Sequence, residues 1–112
     1  MSLDISIVIN CCEHCGRKDY IESLNITHNL GGMASEAGLY HYMWEAQDNN
    51  FKTDDVIFAL EEGLKDLKAR PDHYKQWNAS NGWGLHEHLV KFVEEFLQLC
   101  KNNPGCEIIC SR

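Results

Sequence analysis

Two cysteines three positions apart with a glycine behind the second, Cys12-Glu13-His14-Cys15-Gly16, form the most reactive arrangement in the chain. A tight turn of this kind brings both sulfurs to one side of the backbone and lets its amides face the thiolates. Glycine relieves the strain after the second ligand. Zinc takes four ligands in a tetrahedron, drawn from Cys, His and carboxylate side chains. Cys12 and Cys15 make one convincing pair, and the second pair that a full zinc ribbon would show is absent from the sequence. His28 is the candidate third ligand, because a strand after the turn would return the chain before the next helix. A strand as long as Tyr20–Ile26 works against it by carrying the imidazole away from the turn. His14, His41, Cys106 and Cys110 are the remaining donors, and Cys11 adjoins the pair but should point the other way. A bare reduced turn and a redox pair compete with the metal. The redox alternative lacks a helix opening behind the motif, whose N-terminus would lower a thiol pKa. Cys100 reads as a core residue, and Cys106 and Cys110 as small buried hydrophobes rather than ligands.

A second stretch with chemical potential is Asn81-Gly82-Trp83-Gly84, running into a helix. Free amides at a helix start attract anions, and glycines let a ligand approach the backbone. With Trp77 nearby, such a loop could serve a nucleotide or small-ligand module. The structural alternative, which we favour, has Asn81 capping, the glycines supplying positive φ, and Trp83 filling the core. His86 and His88 lie on different sides of a helix and do not chelate as a pair four apart would; His73, in a polar turn, reads as exposed. No Ser/His/Asp order, phosphate-binding loop or zinc-protease helix motif is present, so catalysis has no positive support. The catalytic alternative is a metal-dependent hydrolase or lyase. A zinc on Cys12, Cys15 and His28 would keep an open position for water, with Glu13 or Glu22 as base.

The elements that must position these residues follow from periodicity. Ile5, Ile7 and Ile9 alternate with polar residues over 4–10, interrupted by Val8, and predict a strand. Tyr20–Ile26 predicts a second, more polar strand, which makes a hairpin with the cysteines at its tip. A helix is expected from about Asn29 to Glu45, capped by Thr27 or Asn29, with Gly38 able to break it in two. Thr53–Ala69 is the clearest helix: Thr53 can cap, Asp54 and Asp55 suit its positive end, Lys65, Lys68 and Arg70 its negative end, and Pro71 closes it. A short helical turn over Pro71–Trp77, a loop to Gly84, and a helix from about Leu85 to Lys101 come next. Asn-Asn-Pro-Gly turns the chain into a short strand at Cys106–Cys110, expected beside Asp4–Asn10. The fold class is therefore α+β: a small sheet, made of an N-terminal hairpin plus a C-terminal strand, with about three helices on one face.

The 112 residues suit a single compact domain over 1–112, and 44% hydrophobic with 24% charged residues is ordinary globular composition. A net charge of −7 repels a phosphate backbone and disfavours general nucleic-acid binding. No run of about 20 apolar residues is present to span a membrane. The start Met-Ser-Leu-Asp-Ile has neither a basic flank nor an apolar stretch, so the expectation is a cytoplasmic protein without a leader. In that reducing setting six thiols are metal ligands or buried groups more often than disulfides.

Taken together, Cys12-Glu13-His14-Cys15-Gly16, Asn25-Ile26-Thr27-His28-Asn29, Ala37-Gly38-Leu39-Tyr40, Asn81-Gly82-Trp83-Gly84 and the closing Ser111-Arg112 give the chain its resemblance. It resembles a group of small proteins of bacteria and their phages that have no settled activity. The resemblance spans nearly the whole chain. It implies a prokaryotic, cytoplasmic setting and a shared compact fold, and no reaction. Cys106 and Cys110 depart from the ordinary strand residues expected there, which makes His28 the more attractive ligand. The expectation is a zinc-stabilised accessory or interaction protein that binds a protein partner or small ligand.

Overall fold

The computed structural model describes residues 2–12, 17–78, 82 and 84–112, with side chains described outside 9–12 and 17–21. Strands β1 (Ser2–Cys12) and β2 (Arg17–Thr27) pair antiparallel, in register from Ser2↔Thr27 to Cys12↔Arg17. Strand β3 (Glu107–Ser111) lies on the other side of β1, from Asp4↔Ser111 to Val8↔Glu107, so the order is β2-β1-β3. The expected pairing of the last strand with the first is present, and both hairpin strands run longer than their alternation indicated. Leu3, Ile5 and Ile7 point into the core, whereas Asp4 is exposed. The register shifts between Ile7↔Glu22 and Val8↔Tyr20, where β2 carries one residue more than β1, and Val8 is buried as well.

Among the described residues five helices follow: α1 (Gly31–Glu36), α2 (Tyr40–Met43), α3 (Thr53–Ala69), α4 (Pro71–Tyr74) and α5 (His86–Asn102), with 3-10 turns at His28–Leu30 and Lys75–Trp77. The α+β class is as expected, but the helix predicted over 29–45 is in pieces. Gly38 takes φ 76°, which ends α1, and Leu39 restarts the chain in a new direction. Leu39 is fully buried, set into the notch that Gly63 leaves on α3. The next residue, Tyr40, stacks on Trp44 with ring centroids 5.2 Å apart. The Ala-Gly-Leu-Tyr motif thus owes its composition to packing. Val56, Leu60 and Leu67 of α3 and Leu89, Phe92, Val93 and Phe96 of α5 close one hydrophobic cluster with the inward residues of the sheet. Among the described residues no helix is long and apolar enough to cross a membrane.

Two polar ties fix the helices. Thr53 was expected to cap α3, but Lys52 occupies that position and Thr53 is the first helical residue, fully buried. Its hydroxyl donates to the Asn103 carbonyl (2.6 Å) and accepts from the Cys106 amide (3.1 Å), and its own N–H donates to the Cys106 carbonyl (2.9 Å). Asp55 completes the helix start by accepting from the Lys52 amide at 2.8 Å. At the other end of α3, Asp66 receives the Arg70 guanidinium in two hydrogen bonds, 2.9 and 2.6 Å, and also the buried Tyr74 hydroxyl. Hydrogen bonds from Arg70 and then Tyr74 hold the Asp66 carboxyl down at about 2. Burial, reinforced by Asp66, pushes the Tyr74 phenol up to about 12.

Candidate functional site

Cys12 closes the described part of β1, and Cys15 lies outside the described residues. Because β3 ends opposite Val8, β1 continues from Ile9 to Cys12 with β2 as its one neighbouring strand among the described residues. His28 is elsewhere. It follows Thr27, the partner of Ser2, and is therefore at the far end of the hairpin from Cys12. Ten residues of strand separate those ends by roughly 30 Å, whereas ligands of one zinc each sit about 2.0–2.3 Å from it. His28 is corrected accordingly: within one chain it does not share a metal with Cys12. The hydrolase or lyase arrangement built on Cys12, Cys15 and His28 falls with it. Among the described residues no group of three His, Cys, Asp or Glu side chains is placed to hold a metal ion.

The other cysteines have structural surroundings. Cys100 is fully buried, and burial, with Asp54 and Cys106 nearby, pushes its thiol up to about 12. Cys106 is buried beside Thr53 and is unbonded to any other cysteine, as are Cys100 and Cys110. Cys110 donates its S–H to the Met43 carbonyl at 3.1 Å, and burial raises its pKa.

His28 has a different role from the one its sequence position suggested. The Trp44 indole N–H donates to His28 Nδ1 at 2.9 Å, which makes Nδ1 the acceptor and leaves Nε2 as the position for a ring proton. Nε2 is buried and without a hydrogen-bond partner among the described residues. The Asn-Gly-Trp-Gly loop reaches this neighbourhood: Gly84, at φ 123°, is buried against Thr27, Asn29 and Leu30, where a side chain would meet Asn29 Cβ at 3.0 Å. Gly82 has φ 77°, and Asn81 and Trp83 lie outside the described residues. At the start of α5 the His86 amide donates to Asn78 Oδ1 (2.7 Å), and the Leu85 amide to His88 Nδ1 (3.2 Å). Two amides that an anion would use are therefore engaged. His86 Nε2 also bonds the Leu67 carbonyl at 2.8 Å. Trp77 packs on Gly32 and meets His73 edge-on, and His73 reaches Glu36 at 3.2 Å rather than standing free in solvent.

A groove that the sequence reading missed runs between β2 and α5. One depression of about 300 Å³ is walled by Glu22 and Leu24 on one side and by Glu95, Gln98 and Leu99 on the other. A second, of about 250 Å³, continues past Glu95 to Lys91, His88 and Asn25. The two edges of the sheet differ. Across β3, Gln47 Oε1 accepts from the Cys110 amide at 2.8 Å and Lys52 bridges to Glu107. The outer edge of β2 has no neighbouring strand among the described residues. Leu99 held the available signal, since it stands off the stripe of Leu89, Phe92, Phe96 and Cys100 and remains half-buried at the mouth of the groove.

Comparison with protein-family models finds no match for this chain, and comparisons with curated proteins and with solved structures find none either.

Proposed function

We propose that this is a non-catalytic accessory protein, of the bacterial or phage kind that its motifs resemble, acting in a reducing cytoplasmic setting by engaging a protein partner. The hairpin end, stabilised by zinc on Cys12 and Cys15, is the contact. One observation carries this reading: the hairpin outruns β3, so β1 approaches the Cys-x-x-Cys segment with β2 as its one neighbouring strand among the described residues. A ribbon end suits presentation to another molecule, whereas a catalytic zinc needs three protein ligands and a walled site for water. The two ligands still required come from His14 together with another chain, or from another chain alone.

The test is elemental analysis of reduced, untagged protein together with sedimentation. We expect about one zinc per chain, or about one per two chains in a dimer, for a tetrahedral site. Replacing Cys12 and Cys15 by serine should remove it without unfolding the helices. Zinc well below half an equivalent sinks the metal. Cross-linking in host extract tests the contact, and an unchanged set of captured proteins for the double-serine variant sinks it.

A further inference from the structure

The outer edge of β2 lies beside the flank of α5, with the groove between them. The backbone geometry shows which groups are on offer. Ser6 and Ser23 are paired across β1 and β2 with their hydroxyls 3.1 Å apart, and Asp4 and Asn25, two residues along, with carboxylate and amide 2.6 Å apart. Such close side chains mark the non-hydrogen-bonded pairs of an antiparallel ladder, whose N–H and C=O groups point away from the partner strand. Ser23 and Asn25 therefore direct their backbone groups to the outer edge. The Ser23 amide confirms this direction, since it donates to the neighbouring Glu22 carboxylate at 3.2 Å instead of to β1. A single flexible glutamate covers a donor that a strand would take.

The groove beside that edge fixes what the strand must carry. From His88 to Leu99 it follows α5 for roughly 16 Å, the span of about five extended residues. Leu24 and Leu99, both half-buried, give it an apolar mouth, and Phe92 an apolar floor. Glu22 and Glu95 face each other across the mouth, against the single Lys91 further along, on a chain of net charge −7. We propose that a partner protein docks here by adding an extended segment to β2, whose groove-facing residues, every second one along the strand, include apolar side chains over Leu24 and Leu99 and Lys or Arg toward Glu22 and Glu95. Strand addition takes its affinity from main-chain hydrogen bonds and its specificity from alternate side chains. A second copy of this chain fits less well, because it would bring Glu22 and Glu95 against their own kind.

The inference rests on the reading of the protein as one that binds a partner, and it concerns residues 22–25 and 88–99, none of them in the Cys-x-x-Cys segment. The probe is a fluorescent six-residue peptide, Lys-Thr-Val-Thr-Lys-Thr, whose first, third and fifth side chains share one face, titrated with the intact protein and followed by anisotropy. Two versions are N-methylated on alternate amides, one on the odd and one on the even positions. We expect saturable binding that one methylated version loses and the other keeps. Glu95→Lys, at an exposed position, should weaken it by about tenfold or more. Equal binding by both methylated versions would mean charge adsorption and would overturn strand addition. Absence of binding at millimolar probe overturns the site, as does a β2-mediated dimer seen in sedimentation and dissolved by Ser23→Pro. Any of these failures leaves the zinc content and the effect of the Cys12 and Cys15 substitutions untouched, so the two readings fail separately.

Discussion

Gly63→Ala in α3 sets two physical effects against each other. An alanine is preferred over glycine inside a helix by about 1 kcal/mol, so propensity alone makes the variant more stable. The new methyl, however, would lie 2.6 Å from Leu39 Cγ and 3.0 Å from Cδ1, and closer still to Cδ2. Leu39 has little freedom to withdraw. It is fully buried, and its amide is tied to the Ala34 carbonyl at 2.8 Å directly after the turn at Gly38. Overpacking of this kind costs about 1–3 kcal/mol, and with three side-chain atoms inside contact distance the upper half of that range applies. The expected net change is a loss of about 1–2 kcal/mol, read from denaturant midpoints at unchanged m. In a domain of this size that lowers Tm by roughly 4 °C or more per kcal/mol. In a Leu39→Ala background the clash is gone, and Gly63→Ala should gain up to about 1 kcal/mol from propensity. A Gly63→Ala variant as stable as the parent, or the same effect in both backgrounds, would refute the notch.

Thr53→Val keeps shape but strands the Asn103 carbonyl and the Cys106 amide; at about 1–3 kcal/mol for each buried group left unpaired, urea titration should show a loss of about 2 kcal/mol or more. The tie at the end of α3 predicts stability losses at both extremes of pH. Asp66, held at about 2, contributes above the ordinary carboxylate range and loses that contribution as pH falls toward 2. Tyr74, raised to about 12, contributes fully below its ordinary value of 10.0 and loses that as pH rises through 12. Asp66→Asn should flatten the acid limb and Tyr74→Phe the alkaline limb of stability against pH, and limbs unchanged by these substitutions would contradict the assignment. Cys100, raised to about 12 by burial, should resist thiol reagents at pH 8 until the protein unfolds. Mass-spectrometric detection of its labelling in the native state would show the burial of this face of α5 to be wrong.

The legible parts of this fold are those in which one face is buried along a regular element. The alternation of Ile5 and Ile7 marked the first strand, shorter than it is, and the stripes of α3 and α5 marked helices with nearly correct limits. Segment 29–45 was harder, because Leu39, Tyr40 and Trp44 are placed by what they pack on, Gly63 and one another, and helical spacing does not encode that. Thr53 shows a related ambiguity: the same residue at a helix start can cap its own helix or tie down a distant strand. His28 failed as a ligand through the length of pairing. Pairing over eleven residues of β2 rather than seven sets how far from the turn the imidazole lies, and β-propensity does not measure length. The groove was invisible for a similar reason, since it is made by Leu24 and Leu99, which come together only once α5 has docked beneath β2.

The position of β3 also sets a timetable for synthesis. Its partners in β1 were made about a hundred residues earlier, which at about 5–20 residues per second is a wait of roughly 5–20 s on the ribosome. β2 arrives at once and pairs with one edge of β1, but the other edge, from Asp4 to Val8, has no strand beside it until Glu107–Ser111 emerges. Chains stalled before Asn103 should therefore recruit chaperones or aggregate, and those released after Ser111 should not. Slowing translation between residues 28 and 106 should lower soluble yield without changing the stability of the finished protein.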